Sequence, residues 1–124
     1  MSEESPRQGS ESVSRVLSAA ELSVIRMMLL GVRSSLDLSP EALSIVGVED
    51  MDDGGMGSIR FVSDKPDRRL GEELARETFL DEDDVEVIAT LSLDNYGDLF
   101  ELDIWKVDFS PVVSLRLKVP SAAS

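Results

Sequence analysis

The apolar residues of the chain follow a helical period near the N-terminus and a period of two further on. Ser18-Ala19-Ala20-Glu21 has the spacing of a capping box, in which the serine and glutamate side chains accept hydrogen bonds from free backbone N–H groups at a helix start. Apolar side chains then recur at helical spacing at Leu22, Ile25, Met28, Leu29 and Val32. The pattern predicts a helix over residues 19–32. Pro40, directly after Ser39, predicts only a short turn before the next element.

Two segments with alternating residues predict a first β-hairpin over residues 44–63. Val46 and Val48 alternate with small or polar residues in the first segment, and Ile59 and Phe61 do so in the second. The sequence Asp52-Asp53-Gly54-Gly55 between them favours a tight turn. A register with Met51 opposite Met56 places Val48 opposite Ile59 and Val46 opposite Phe61.

A second hairpin is predicted over residues 85–105. Its apolar positions alternate on both sides of Asp94-Asn95-Tyr96-Gly97. The predicted register pairs Leu91 with Phe100, Ala89 with Leu102 and Val87 with Ile104 on the core side. On the opposite side it pairs Thr90 with Glu101, Ile88 with Asp103 and Glu86 with Trp105. Residues 72–80 fit a helix or a strand, and the acidic cluster that follows them favours a strand.

These elements predict an α+β fold in which an N-terminal helix packs on an antiparallel sheet of four or five strands. The chain of 124 residues is long enough for one hydrophobic core. Residues 1–16 are rich in serine and glutamate and are predicted to be disordered. We therefore expect one domain over residues 17–118 and a frayed tail over residues 119–124.

The composition excludes several kinds of chemistry. The chain contains no cysteine and no histidine, so it has neither thiolate nucleophiles nor imidazole bases nor the usual ligands of zinc, copper and haem. We expect no cofactor and no metal. The start of the chain lacks the order of a signal peptide, and the apolar cluster at residues 24–32 is too short to span a bilayer. The sequence therefore predicts a cytoplasmic protein that does not bind membranes.

The formal net charge of -13 is concentrated in two stretches. Residues 37–57 contain acidic residues and no basic ones, and residues 79–110 contain ten acidic residues against Lys106. Such a surface repels phosphate backbones, so direct nucleic-acid binding is not expected, whereas a basic protein would be attracted.

The acidic turns carry the first candidate site. Read as a calcium loop from Asp50, the turn places Asp52 third and Gly55 sixth, but Phe61 occupies the twelfth position, where a bidentate glutamate is required. The structural interpretation is therefore preferred for this turn, and its residues are Asp52, Asp53, Gly54, Gly55 and Gly57. Residues 81–84 are likewise interpreted as a solvated hairpin tip.

The second candidate site is a strand face that carries Glu101, Asp103 and Trp105, followed by Lys106 and Asp108. Tryptophan is a favoured anchor in protein interfaces, and carboxylates meet the arginine or lysine of a partner. This face forms a recognition patch or lies under the N-terminal helix, and Trp105 is alternatively part of the core. Paired carboxylates also support a hydrolase, but a chain of this size has little material for a deep cleft.

The segments Asp52-Asp53-Gly54-Gly55-Met56-Gly57-Ser58 and Glu101-Leu102-Asp103-Ile104-Trp105-Lys106-Val107-Asp108-Phe109-Ser110-Pro111 resemble the two signature segments of an uncharacterised bacterial family of short acidic proteins. Small acidic bacterial proteins of this kind include immunity proteins encoded beside toxin genes. The resemblance thus implies an inhibitor or adaptor. We expect a non-catalytic domain that binds a basic protein partner. The alternatives are a carboxylate-dependent hydrolase, with or without a divalent cation, and a self-associating structural module of unknown oligomeric state.

Overall fold

The computed structural model describes residues 14–33 and 36–115, which form two helices and one antiparallel sheet of six strands. The strand order in the sheet is β1-β2-β3-β6-β5-β4. The elements in chain order are β1 (Arg15–Val16), α1 (Ala19–Met28), α2 (Pro40–Leu43), β2 (Gly47–Asp50), β3 (Ile59–Phe61), β4 (Leu70–Leu80), β5 (Glu86–Asp94) and β6 (Leu99–Lys106).

The α+β class is confirmed, but the sheet has more strands than the four or five expected. The additional strand is β1, which pairs with β2 and is formed by the last two residues of the segment predicted to be disordered. Strand β1 is held beside β2 by an ion pair in which a guanidinium nitrogen of Arg15 lies 2.7 Å from a carboxylate oxygen of Asp50. Residues 1–13 of that predicted segment and the predicted C-terminal tail lie outside the described residues.

Helix α1 begins as its sequence predicts and ends earlier. Ser18 and Glu21 form the expected capping box, with the Glu21 N–H donating to the Ser18 hydroxyl over 3.1 Å and the Ser18 N–H donating to the Glu21 carboxylate over 2.8 Å. The helix ends at Met28 rather than at residue 32, because Gly31 has a φ of 81° and turns the chain away. The short turn expected after Ser39 is the one-turn helix α2.

The two helices pack on one side of the sheet, which we call the inner face. The buried core combines residues of both helices with the inner-face residues of five strands. Its members are Val24, Ile25, Met28, Leu43, Val48, Ile59, Phe61, Phe79, Val87, Ala89, Leu91, Leu102 and Ile104. The opposite side of the sheet is the outer face. Within the described residues, no helix has the length and apolar composition needed to cross a membrane.

The predicted register of the first hairpin is wrong by two residues. Val48 lies opposite Phe61, and Asp50 lies opposite Ile59. The connection is wider than a tight turn because the Asp53 carboxylate accepts hydrogen bonds from the backbone N–H groups of Met56 and Ser58, at 3.2 and 3.0 Å. These bonds hold a loop between Met51 and Ser58.

The predicted register of the second hairpin is also wrong by two residues. Leu91 lies opposite Leu102, Ala89 opposite Ile104 and Val87 opposite Lys106. On the outer face, Thr90 lies opposite Asp103 and Ile88 opposite Trp105. One residue of the shift comes from the turn, where Gly97 has a φ of 86° and the Asp94 N–H donates to the Asp98 carbonyl. The other comes from a bulge, because Phe100 is passed over between the pairs formed by Leu99 and Glu101.

Residues 72–80 belong to β4, so the preference for a strand is confirmed. The strand has two register shifts against β5, between Leu70 and Glu73 and between Glu73 and Ala75. Gly71 lies at the first of them, where an added Cβ would be 2.4 Å from the Asp94 carbonyl oxygen. Only glycine allows this close approach of the two strands.

Candidate outer-face site

The outer face of β4, β5 and β6 forms an open groove with a volume of about 290 Å³, which we call the outer groove. Glu101, Asp103 and Trp105 lie along one wall because alternate residues of β6 point to the same side. Thr90 lies opposite Asp103 on β5, and Arg76 follows on β4. The strand pairing thus brings carboxylates, a hydroxyl, a guanidinium and an indole to one surface.

Trp105 is neither part of the core nor covered by helix α1. Its surface is 41% exposed, and α1 packs on the inner face. Its ring lies 5.6 Å from the ring of Phe109, with an angle of 54° between the planes. Phe109 is 73% exposed, and Val107 between them is exposed as well. The end of β6 therefore presents an apolar patch to solvent.

Phe109 is held against Trp105 by an uncommon backbone conformation. Its φ is 65°, in the left-handed region that bulky residues rarely adopt. The Phe109 N–H donates to the Lys106 carbonyl over 2.9 Å, which closes the turn after β6. Such a conformation costs on the order of 1–3 kcal/mol, and strained residues of this kind cluster at functional sites.

Two carboxylates of the outer groove already have cationic partners. Glu101 pairs with Arg60 of the neighbouring strand over 3.0 Å, and the Arg60 guanidinium also lies 4.7 Å from the centre of the Phe100 ring. Glu73 pairs with Arg76 over 2.7 Å. The charges of these two pairs are thereby balanced at the rim.

Asp103 is electrostatically different from its neighbours. Although its side chain is exposed, the groove removes part of its hydration, and this desolvation together with the Glu101 and Asp53 carboxylates raises the pKa of Asp103. Arg76 and the Ser58 hydroxyl act in the opposite direction without reversing the shift. The charged form of Asp103 is thus disfavoured first by desolvation and then by the neighbouring carboxylates.

Lys106 does not belong to the exposed surface, which corrects its assignment as a binding residue. Its side chain is fully buried on the inner face, opposite Val87. The Nζ atom lies 2.9 Å from a carboxylate oxygen of Asp81 and 2.5 Å from one of Asp83. Burial lowers the pKa of Lys106, but the two carboxylates outweigh it and the pKa is raised.

Asp81 corrects the interpretation of residues 81–84 as a wholly solvated tip. Its side chain is fully buried, and its two oxygens accept hydrogen bonds from Lys106 and from three backbone N–H groups. The donors in the backbone are Glu82, Val113 and Ser114, at 2.7, 2.6 and 3.1 Å. Burial would raise the pKa of Asp81, yet these bonds hold it below its usual value. Asp81 thus fastens the C-terminal segment to the sheet.

Asp108 lies beyond the end of β6 and outside the outer groove. Its carboxylate accepts hydrogen bonds from the Ser110 hydroxyl and N–H, at 2.6 and 3.0 Å, and these bonds lower the pKa of Asp108. Its contacts are those of a turn residue. Of the five residues assigned to the binding face, the outer groove brings together Glu101, Asp103 and Trp105.

The glycine-rich turn is held by backbone conformation and by hydrogen bonds. Gly54, Gly55 and Gly57 all have positive φ, and the Gly55 carbonyl accepts a hydrogen bond from the Val112 N–H over 3.1 Å. The Asp53 carboxylate accepts hydrogen bonds from backbone N–H groups of the turn, while Asp52 is exposed. In residues 14–33 and 36–115, no three acidic side chains converge in a way that could hold a metal ion.

Sequence reasoning placed Thr90 on this face, but opposite Glu101 rather than Asp103. It missed Arg76, which the bulges of β4 bring to the outer groove and which the pattern did not indicate. Phe109 could have been found, because it continues the odd-numbered positions of Trp105 and Val107.

The chain matches the family model described as a domain of unknown function, DUF6984, over residues 14–116. The chain belongs to the DUF6984 family. No curated protein and no solved structure matches the chain. The matched range contains every element of the DUF6984 fold described above, including both walls of the outer groove.

Proposed function

We propose that this DUF6984 domain is a non-catalytic protein-binding module, and that its outer groove receives a basic surface of a partner protein. The observation that carries the proposal is the exposed pair of Trp105 and Phe109 next to the groove that contains the Asp103 carboxylate. Exposed aromatic residues are common anchors at interface centres, and complementary charge steers the encounter.

The charge of the whole chain supports a basic partner. A net charge of -13 attracts a positively charged protein over a distance comparable to the Debye length and repels nucleic acids. An inhibitor of the immunity type uses this kind of complementarity to cover a basic site on a toxin. We therefore propose that role, in a bacterial cytoplasm, as the specific form of the function.

The hydrolase alternative is less well supported by the geometry. Glu101 and Asp103 lie on an open surface rather than in a cleft, and Glu101 is engaged by Arg60. An enzyme site is a concave cleft that buries most of the surface of its substrate. The open groove instead suits contact with another protein surface.

Photo-crosslinking in native host cells tests the proposal. A crosslinking amino acid at Leu70, which is 60% exposed at the rim of the outer groove, is expected to capture a basic protein. The same amino acid at Ile45, which is 80% exposed near α2, serves as the matched control. The captured protein is then purified, and its affinity for the domain is measured at several salt concentrations.

The charge of the groove provides the second arm of the test. The double variant Glu101→Gln with Asp103→Asn is expected to weaken binding and to flatten the salt dependence, because two carboxylates are removed without a change of shape. Equal capture from Leu70 and Ile45, or an unchanged affinity and salt dependence of the double variant, would refute the proposed function.

A further inference from the structure

We propose that the outer groove is a seat for one arginine side chain of the partner, with Asp103 binding the guanidinium and Trp105 stacking on it. This inference rests on the proposed function and specifies the chemistry of the same surface. It follows from the pairing of charges in the groove, from the placement of the indole and from the conformation of Phe109.

Two of the three carboxylates in the outer groove already form ion pairs within the domain. Arg60 engages Glu101, and Arg76 engages Glu73. In the described part of the chain, Asp103 forms no ion pair, although Arg76 is near enough to act on its charge. Asp103 is therefore the carboxylate of the outer groove that can pair with an incoming cation without breaking a bond within the domain.

The second step concerns the indole beside it. Trp105 follows Asp103 by two residues on the same side of β6 and forms part of the groove wall. A cation that pairs with Asp103 is thus brought next to the indole, the best aromatic ring for a cation–π contact. Phe109 packs against Trp105 from the direction of the next turn and limits its rotation.

The third step distinguishes arginine from lysine. A guanidinium is planar, stacks on an aromatic ring and presents several N–H donors at the same time, whereas an ammonium is a compact and strongly hydrated charge. The Thr90 hydroxyl opposite Asp103 is a further acceptor for those donors. The volume of about 290 Å³ suits one side chain rather than a folded element.

The conformation of Phe109 fits this role. A positive φ of 65° at a phenylalanine is unfavourable for folding, and its ring is 73% exposed, so it adds little to the core. The ring instead packs against Trp105. The positive φ of Phe109 is thus explained by a role in ligand binding, in which its ring supports the Trp105 indole.

Fluorescence titration of the intact chain tests the inference, because Trp105 is its single tryptophan. The probes are three capped pentapeptides that contain glycine around a central arginine, lysine or citrulline. The arginine peptide is expected to change the Trp105 emission with saturation and to bind at least about threefold more tightly than the lysine peptide. Citrulline has a similar shape without the charge, so its peptide is expected to give no saturable change.

Variants assign the effect to the seat. Asp103→Asn is expected to weaken binding of the arginine peptide roughly tenfold, the loss of one charge-assisted hydrogen bond. Arg76→Met is expected to strengthen it, because the competing cation is removed. Glu41→Gln removes one charge from α2, on the other side of the sheet, and is expected to leave binding unchanged. Thermal denaturation of the Asp103→Asn variant is the control for its folding.

Equal binding of the arginine and lysine peptides, or equal binding by the Asp103→Asn variant, would overturn the arginine seat. If crosslinking from Leu70 still captured a charge-dependent partner, the proposed function would stand without the seat. If the arginine peptide bound as expected but crosslinking captured no partner, the seat would stand and its macromolecular role would fall.

Discussion

Replacing Asp81 by asparagine tests whether the buried ion pair with Lys106 holds the C-terminal segment against the sheet. Each Asp81 oxygen accepts two hydrogen bonds: Oδ1 from the N–H groups of Glu82 and Ser114, and Oδ2 from Val113 and Lys106. An asparagine has one acceptor oxygen, so two of these donors lose their partner in either orientation of the amide.

The expected loss follows from the burial of both charges. Breaking a buried ion pair by removing one partner costs about 3–5 kcal/mol, because the remaining charge is left in a poor environment. Asp83 still contacts Lys106, which places the expected loss near 3 kcal/mol. Native domains have about 5–15 kcal/mol of stability, so the variant is expected to fold with a clearly lower denaturation midpoint.

Asp83→Asn is the matched control, because it removes the same charge from the same lysine at a partly exposed position. The Asp83 side chain is 42% exposed, so its removal is expected to cost at most about 1 kcal/mol. Urea denaturation followed by Trp105 fluorescence measures both variants. Faster hydrogen exchange at Val113 and Ser114 is expected for Asp81→Asn alone. A loss no larger than that of Asp83→Asn would refute the reasoning.

Three further predictions concern strain, pH and close packing. Phe109→Asn is expected to keep or raise the free energy of unfolding, because asparagine tolerates a positive φ. The same variant is expected to weaken arginine-peptide binding, because the ring beside Trp105 is lost. A decrease in the free energy of unfolding above about 1 kcal/mol would show that the ring mainly stabilises the fold. Burial alone would raise the pKa of Asp94, but its hydrogen bonds with Arg68 and with backbone amides lower it. The contribution of Asp94 to the free energy of unfolding is therefore present above about pH 3.9 and is lost as the pH falls through the lowered pKa. Asp94→Asn is expected to reduce the loss of stability in acid, measured by circular dichroism. Gly71→Ala is expected to cost about 1–3 kcal/mol, whereas Gly47→Ala, whose Cβ would be 3.7 Å from Val62, is expected to stay within about 1 kcal/mol of the native chain in the same urea assay.

The local part of the fold could be predicted because it depends on neighbouring residues. The start of α1 at Ser18 and the strand preference of residues 72–80 follow from spacing within a few positions. The strand registers could not, because a bulge at Phe100 and the hydrogen bonds of Asp53 depend on the assembled sheet. The end of α1 before Gly31 was missed because the apolar spacing continues past the last helical residue.

The distribution of charge was the least accessible feature, since ion pairs join residues that are distant in the sequence. Lys106 is the one basic residue of the acidic stretch at residues 79–110, yet it forms a buried ion pair with Asp81. Asp94 is similarly buried against Arg68, whose Nε atom donates to it over 2.8 Å. Counting charges along the chain therefore overstates the acidity of the surface near these residues. On the outer face of β6, Asp103 differs from these residues because it forms no ion pair in the described part of the chain.

The bulges of β4 explain why Asp103 is left without an ion-pair partner in the described part of the chain. In a regular strand, Glu73 and Arg76 would point to opposite faces, because they are three residues apart. The register shift between Glu73 and Ala75 inserts one additional residue, so both lie opposite outer-face residues of β5 and can pair over 2.7 Å. Without the bulge, one of the two would leave the outer face and the pair would be broken. The open negative charge of the proposed seat is thus a consequence of the edge-strand geometry. A deletion of Leu74 leaves Glu73 and Arg76 two residues apart in a regular strand, so both stay on the outer face and the arginine preference is expected to be retained.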